Sequence, residues 1–157
     1  MKRISILLTL VLGLAFINTS CEKTPENEWN RFYGYTANDI AGHYDANPDE
    51  SLYEELPTQG VAVYDNATVE IQALSENQVS LRIIIPNVIN RVFSGTVFTD
   101  ESVSDLILHN FQEDISMTVY KNKENQIRLH GRVKRYRYDQ DNVLVDSDNY
   151  GFDVIKE

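Results

Sequence analysis

The stretch IRLHGRVKRYRY, from Ile127 to Tyr138, decides how the chain folds. Ile127, Leu129, Gly131 and Val133 fall on one side of a two-residue repeat, and Arg128, His130, Arg132, Lys134, Tyr136 and Tyr138 fall on the other. That period belongs to a strand with one buried face, because successive side chains of a strand point to opposite sides of the sheet. Arg135 and Arg137 then follow on the apolar side, so basic residues crowd one short segment of an otherwise acidic chain. Two readings follow. The cations pair with Asp and Glu on neighbouring strands, each exposed pair contributing under about 1 kcal/mol. Alternatively Arg128, Arg132, Lys134 and Tyr136 form a cationic, aromatic-edged strip that holds an anionic ligand such as a uronic acid, a phosphorylated glycan or an acidic partner protein.

Working outward, the same alternation recurs. Val79, Leu81, Ile83 and Ile85 share a face until Pro86 and Asn87 stop the run, and Val69, Ile71 and Ala73 oppose Glu70 and Gln72. Further strands are predicted over Ile40–Ala46, Val61–Tyr64, Val92–Phe98, Leu106–His109, Ile115–Tyr120, Val143–Val145 and Tyr150–Ile155, with polar turns between them. A helix is predicted from Pro48 to Leu56: Asn47 caps it, proline takes the first position, and Asp49 and Glu50 meet the positive end of its dipole. Short turns without crossover helices require antiparallel pairing, because parallel pairing needs long connections. The expectation is therefore an all-β antiparallel meander, closed into a barrel of about eight strands to remove its free edges, with that one short helix lying over a mouth.

The amino terminus supplies an address. Lys2 and Arg3 precede an apolar segment, Ile4 to Ile17, broken only by Ser5, Thr9 and Gly13, and Asn18, Thr19 and Ser20 lead into Cys21. This is the layout of a secretory signal, and the apolar part is shorter than the roughly 18 to 20 residues that span a bilayer. Cleavage before Cys21 leaves 137 residues, enough for one domain with one core. The mature chain keeps 12 basic against 24 acidic residues, a charge of −12 that opposes nucleic acid and anionic headgroups. Cys21 is the only cysteine, so no internal disulfide forms. Polar Glu22 to Glu28 reads as a tether, and Trp29, Phe32, Tyr33 and Tyr35 bring the first large aromatic side chains of the core.

Ser20 followed by Cys21 resembles a lipoprotein signal, and Asn18 in place of the usual leucine is similar to the relaxed signals of Bacteroidetes-type bacteria. Gly42-His43-Tyr44 opening the first strand, then a loop with a helix, then successive hairpins, resembles the calycin or lipocalin-like barrel lipoproteins of the same group, with Tyr44 where lipocalins carry Trp. The resemblance implies a signal peptide over 1–20, an acylated Cys21 with a flexible tether over 21–35, and a barrel over 36–157. It also implies an outer-membrane lipoprotein of the bacterial cell envelope, periplasmic or surface-facing. Two or more acyl chains anchor stably, each buried methylene adding about 0.8 kcal/mol.

No catalytic signature stands out. The chain has no nucleophile elbow, no phosphate-cradling glycine loop and no spare cysteine. His43, His109 and His130 lie on separate strands, so a zinc site would have to be assembled by the fold, and neither metal nor cofactor is expected. Asp146, Asp148, Gly151 and Glu157 match positions of a calcium loop, but Tyr150 stands where an oxygen ligand belongs and Phe152 and Val154 alternate as a strand. The function expected is a non-enzymatic, lipid-anchored module that binds a small apolar molecule, an anionic glycan or an envelope protein. The alternatives are a structural or inhibitory interaction protein without a cavity, and a hydrolase whose carboxylates are brought together by the fold.

Overall fold

A computed structural model describes residues 29–46, 60–98, 102, 104–109 and 112–157. Cys21 and the helix expected from Pro48 to Leu56 lie outside the described residues. Among these residues the chain forms strands β1 (Asn30–Arg31), β2 (Gly42–Ala46), β3 (Ala62–Tyr64), β4 (Thr68–Ala73) and β5 (Gln78–Ile85). It continues with β6 (Ile89–Thr96), β7 (Asp105–His109), β8 (Glu113–Lys121), β9 (Ile127–Tyr138) and β10 (Leu144–Lys156), and has one helix, α1 (Ala37–Ile40).

Alternation sets the strands as expected. Val79, Leu81, Ile83 and Ile85 of β5 are buried, as are Ile115, Met117 and Val119 of β8 and Ile127, Leu129 and Val133 of β9. The β5–β6, β8–β9 and β9–β10 turns each hold an asparagine in the left-handed region, Asn87 at φ 62, Asn125 at φ 65 and Asn142 at φ 59. Asparagine tolerates that conformation because its short side chain bonds locally. Gly131 sits between Met117 and Phe152, where a Cβ would come within 2.6 Å of both side chains. Only glycine lets the neighbouring strands bring those groups over its backbone.

All ten strands belong to one sheet, with path β1-β8-β9-β10-β2-β4-β5-β6, β7 pairing with β8 and β3 pairing with β10. Every pairing is antiparallel except β3 with β10, which is parallel. The sheet is mostly β, as read, but it is not closed into the expected barrel: no ladder joins β6 to β7 among the described residues. Instead the side chain of buried Leu108 on β7 lies over Gly95 of β6, so close that a Cβ there would come within 2.2 Å of its Cδ2. Alternation decides which face is buried, whereas closure needs the two end strands to meet in register, and turn lengths do not dictate that.

Two further differences have local causes. Ile40, expected to open the first strand, instead ends α1, which Thr36 caps: Thr36 Oγ1 accepts from the Asp39 amide at 3.3 Å and Asp39 Oδ2 accepts from the Thr36 amide at 2.7 Å, a reciprocal cap. Those bonds from Thr36 hold the Asp39 carboxyl below its ordinary range. Within the 21–35 segment expected as a tether, β1 pairs with β8 and Tyr35 is buried, so the folded body begins before residue 36. Tyr35, Ala37, Ile40 and Tyr44 close one end of the core, the Tyr44 hydroxyl donating to the Ile40 carbonyl at 2.6 Å, and burial pushes both phenols up. Above that floor Phe93, Met117, Phe152 and the aliphatic side chains of β4, β5, β8 and β9 fill the space enclosed by the curved sheet.

Candidate functional site

At the opposite end the buried face turns polar. Glu113, on the inner face of β8 and 3% exposed, accepts from Arg135 Nε at 2.9 Å and pairs with Arg91 Nε of β6 at 3.3 Å. Arg135 also donates to the Val88 carbonyl at 3.4 Å and lies 5.6 Å from the Tyr150 ring centroid. This carboxylate therefore ties β8 and β9 to β6, a strand far along the sheet path.

Beyond Glu113 the strand β8 ends, with the Tyr136 amide donating to the Gln112 carbonyl at 2.8 Å, while β9 and β10 run on as a two-stranded arm. Asp146 to Asn149, which read as a break between two strands, are continuous strand because they stand opposite Arg137, Tyr136, Arg135 and Lys134. Cross-strand charge pairing sustains polar residues there: Arg137 Nη2 meets Asp148 Oδ1 at 2.6 Å and Asp146 Oδ2 at 3.1 Å. The turn closing the arm is fixed by Asp139, whose Oδ1 accepts from the amides of Asp141 and Val143, both at 2.9 Å.

In the angle between the end of β8 and this arm lies a cleft of about 820 Å³ lined by Gln112, Arg135, Tyr136, Arg137, Tyr138, Asp139 and Asn142. The Tyr136 and Tyr138 rings stand 6.5 Å apart and inclined at 46°. The Tyr136 hydroxyl donates to Asp114 Oδ2, and Asp114 Oδ1 meets His109 Nδ1 at 2.7 Å, so β7, β8 and β9 together orient that phenol. The bond to Asp114 pushes the Tyr136 phenol up. Burial acts to raise the Asp114 carboxyl, but the bonds from Tyr136 and His109 outweigh it and hold the group below its ordinary range.

The cationic strip read from sequence divides here. Arg128 is 1% exposed, donates Nε and Nη2 to the two oxygens of Asp153 at 2.6 and 2.7 Å, and has Trp29 stacked 5.4 Å away; it belongs to the core of the outer face and stands apart from the cleft. Arg132 is exposed, and neither it nor Lys134 forms an ion pair among the described residues. The Lys134 ammonium lies 5.1 Å from the centroid of the Tyr136 ring, so Lys134 and Tyr136 make a cationic outer wall next to the cleft. Gln112, Arg137, Tyr138, Asp139 and Asn142 joined the site only through the overhang of β9 and β10 past β8, which depends on pairing between distant segments. Arg137 and Arg135 were legible as basic residues breaking an apolar face, and that break stands beside Tyr136 of the strip as the signal the sequence offered.

The histidines each meet an aspartate. His43 Nε2 lies 3.3 Å from Asp45 Oδ1, His109 pairs with Asp114 as above, and His130 Nδ1 lies 3.6 Å from Asp153 Oδ2, which also serves Arg128. The buried carboxylates Glu113 and Asp153 lie on opposite faces of the sheet, each held by an arginine, and do not face one another across the cleft. No family model matches the chain, and no curated protein or solved structure matches it.

Proposed function

We propose that this chain is a lipid-anchored binding module of the bacterial cell envelope, an outer-membrane lipoprotein acylated at Cys21, that holds a glycan at the cleft beside β9 without transforming it. The sheet is read as an incompletely closed relative of the calycin-like barrel, facing the periplasm or the cell surface. The observation that carries the reading is the lining of the cleft: two tyrosine rings, two guanidinium groups and the side chains of Gln112 and Asn142 around about 820 Å³. Aromatic faces stack on sugar rings, and flat polar side chains bond adjacent hydroxyls in pairs. Arg137 is already paired with Asp146 and Asp148, and Arg135 with Glu113, so both guanidinium groups of the inner lining have carboxylate partners. Arg132 and Lys134, which form no ion pair among the described residues, stand on the outer wall, which favours a sugar bearing a carboxylate at its outward edge.

Titration calorimetry of the full-length protein in detergent, with uronate oligosaccharides beside neutral oligosaccharides of equal length, tests this. Saturable binding of the uronates, weakened at least about tenfold in a Tyr136→Ala, Tyr138→Ala double variant, is expected, in line with the loss of about 1.4 kcal/mol or more. Absence of binding across both panels sinks the glycan reading. A filled interior favours a second reading, an envelope protein as partner and no small ligand. Co-purification of one defined protein from solubilised envelopes, lost in the same double variant, would then replace the glycan.

A further inference from the structure

Away from the cleft, on the outer face at the other side of the sheet, one histidine stands among carboxylates with which no arginine or lysine forms an ion pair among the described residues. His43 and Asp45 are two residues apart on β2 and so share a face, and their donor atoms lie 3.3 Å apart. The Glu157 amide donates to the His43 carbonyl at 3.0 Å, which brings the end of β10 alongside, and one ligand atom from each of His43, Asp45 and Glu157 falls within 4.8 Å of the others. Register adds a fourth group, because Glu70 of β4 stands directly opposite His43. Basic side chains on adjoining strands have other partners: Arg82, across from Glu70, donates Nε to Asn90 Oδ1 at 3.2 Å, and Lys156 Nζ donates to the Asp39 carbonyl at 3.1 Å.

The other histidines show why this one differs. Asp114 beside His109 accepts the Tyr136 hydroxyl as well, and Asp153 beside His130 is clamped by Arg128. Their carboxylates are already occupied. At His43 the imidazole is joined by two or three carboxylates that repel one another, an arrangement that a bound cation stabilises. Donors around zinc at about 2.0–2.2 Å are separated from one another by roughly 3.0–3.5 Å. The His43–Asp45 distance already lies in that range, and closing the rest takes only rotation of exposed side chains.

We infer that His43, Asp45 and Glu157 bind a first-row divalent cation, zinc by preference, as a three-ligand site with Glu70 in reach as a fourth ligand. One nitrogen and two carboxylate donors suit zinc over magnesium or calcium, which take oxygen donors alone. Three protein ligands on an open sheet face leave a position for water or for a donor from another molecule.

The test is calorimetric titration of zinc chloride into the full-length, EDTA-treated protein in detergent, with thermal unfolding of each variant as a check on folding. One equivalent with micromolar affinity is expected, weakened at least about tenfold by His43→Ala and by Asp45→Asn, and unchanged by His109→Ala, which removes the other exposed histidine–aspartate pair. Because His43 and Asp45 are about half exposed, these variants should melt with wild type. Binding that survives both His43→Ala and Asp45→Asn, binding lost instead with His109→Ala, or no binding in the wild type each overturns the assignment. A proton–nitrogen spectrum of the imidazoles gives an independent readout: zinc should shift the His43 ring signals first, and a shift confined to His109 or His130 overturns it too.

Discussion

Arg128 and Arg137 stand near opposite ends of β9, and each meets aspartates of β10, yet the two pairs sit in different media. The Arg128 and Asp153 side chains are 1% and 4% exposed, with two short bonds between them and Trp29 over the guanidinium. The Arg137, Asp146 and Asp148 side chains are 54%, 61% and 35% exposed. Water screens the second group and has been removed from the first, so the same chemistry acts as structure at one end and remains available to a ligand at the other. Burial, not residue type, divides the strip.

The largest expected effect follows from breaking the buried pair. Arg128→Ala leaves the Asp153 carboxylate in a closed site, and a loss of about 3–5 kcal/mol in urea unfolding is expected. Replacing both partners by apolar residues of similar volume, Arg128→Met with Asp153→Leu, should recover most of that loss, since an apolar pair escapes the desolvation cost. If the double variant is as unstable as the single one, the pair has a role that desolvation does not explain, and the comparison drawn above fails.

Glu113 is intermediate and comes next. It is buried like Asp153, but its partners Arg135 and Arg91 reach water, with side chains 29% and 54% exposed. Glu113→Gln keeps the shape and removes the charge that ties β8 and β9 to β6. A loss of about 2 kcal/mol is expected, in the range of hydrogen bonds to charged groups, because both arginines can turn to solvent. A loss as large as that of Arg128→Ala would mean that solvent access does not rank these pairs.

This gradient along one strand also marks what sequence could supply. Alternation marked the buried faces of β4, β5 and β9 almost residue by residue, because a period of two is a local property. It placed Arg128 with Arg132 and Lys134, since nothing within a few residues says that Trp29 will stack on Arg128 or that Asp153 will reach it from the next strand. The break expected at Asp146 to Asn149 had the same origin: those residues are poor strand formers alone and acceptable ones opposite Arg135 and Arg137. Closure is not legible in the same way, because the seam between β6 and β7 is set by how two distant strands approach. The cleft was half legible, its tyrosines and arginines visible in β9 but its shape made by the end of β8.

Asp114 offers a smaller and pH-dependent test. Its carboxyl is held low by the Tyr136 and His109 bonds, so its contribution is present above the ordinary carboxylate value of about 3.9 and is lost as pH falls through the lower, folded value. Comparing wild type with Asp114→Asn across acid pH should show a difference of about 1 kcal/mol or less near neutrality that vanishes at the acid end. A difference that persists at the acid end would mean the charge of Asp114 is not what the two bonds stabilise.

The smallest effect on stability should come from Arg137→Ala, under about 1 kcal/mol, because the group is more than half exposed and its two aspartates can turn to water. Its effect on uronate binding should run the other way. The guanidinium lines the cleft and Asp146 and Asp148 hold it in place, so removing it deletes a donor and releases two carboxylates beside the ligand. A variant that melts with wild type and binds at least about tenfold more weakly would separate the roles of the two ends of β9. Should Arg137→Ala instead destabilise the fold as Arg128→Ala does while leaving binding intact, the exposed end would be structure after all, and the assignment of the cleft would fall with it.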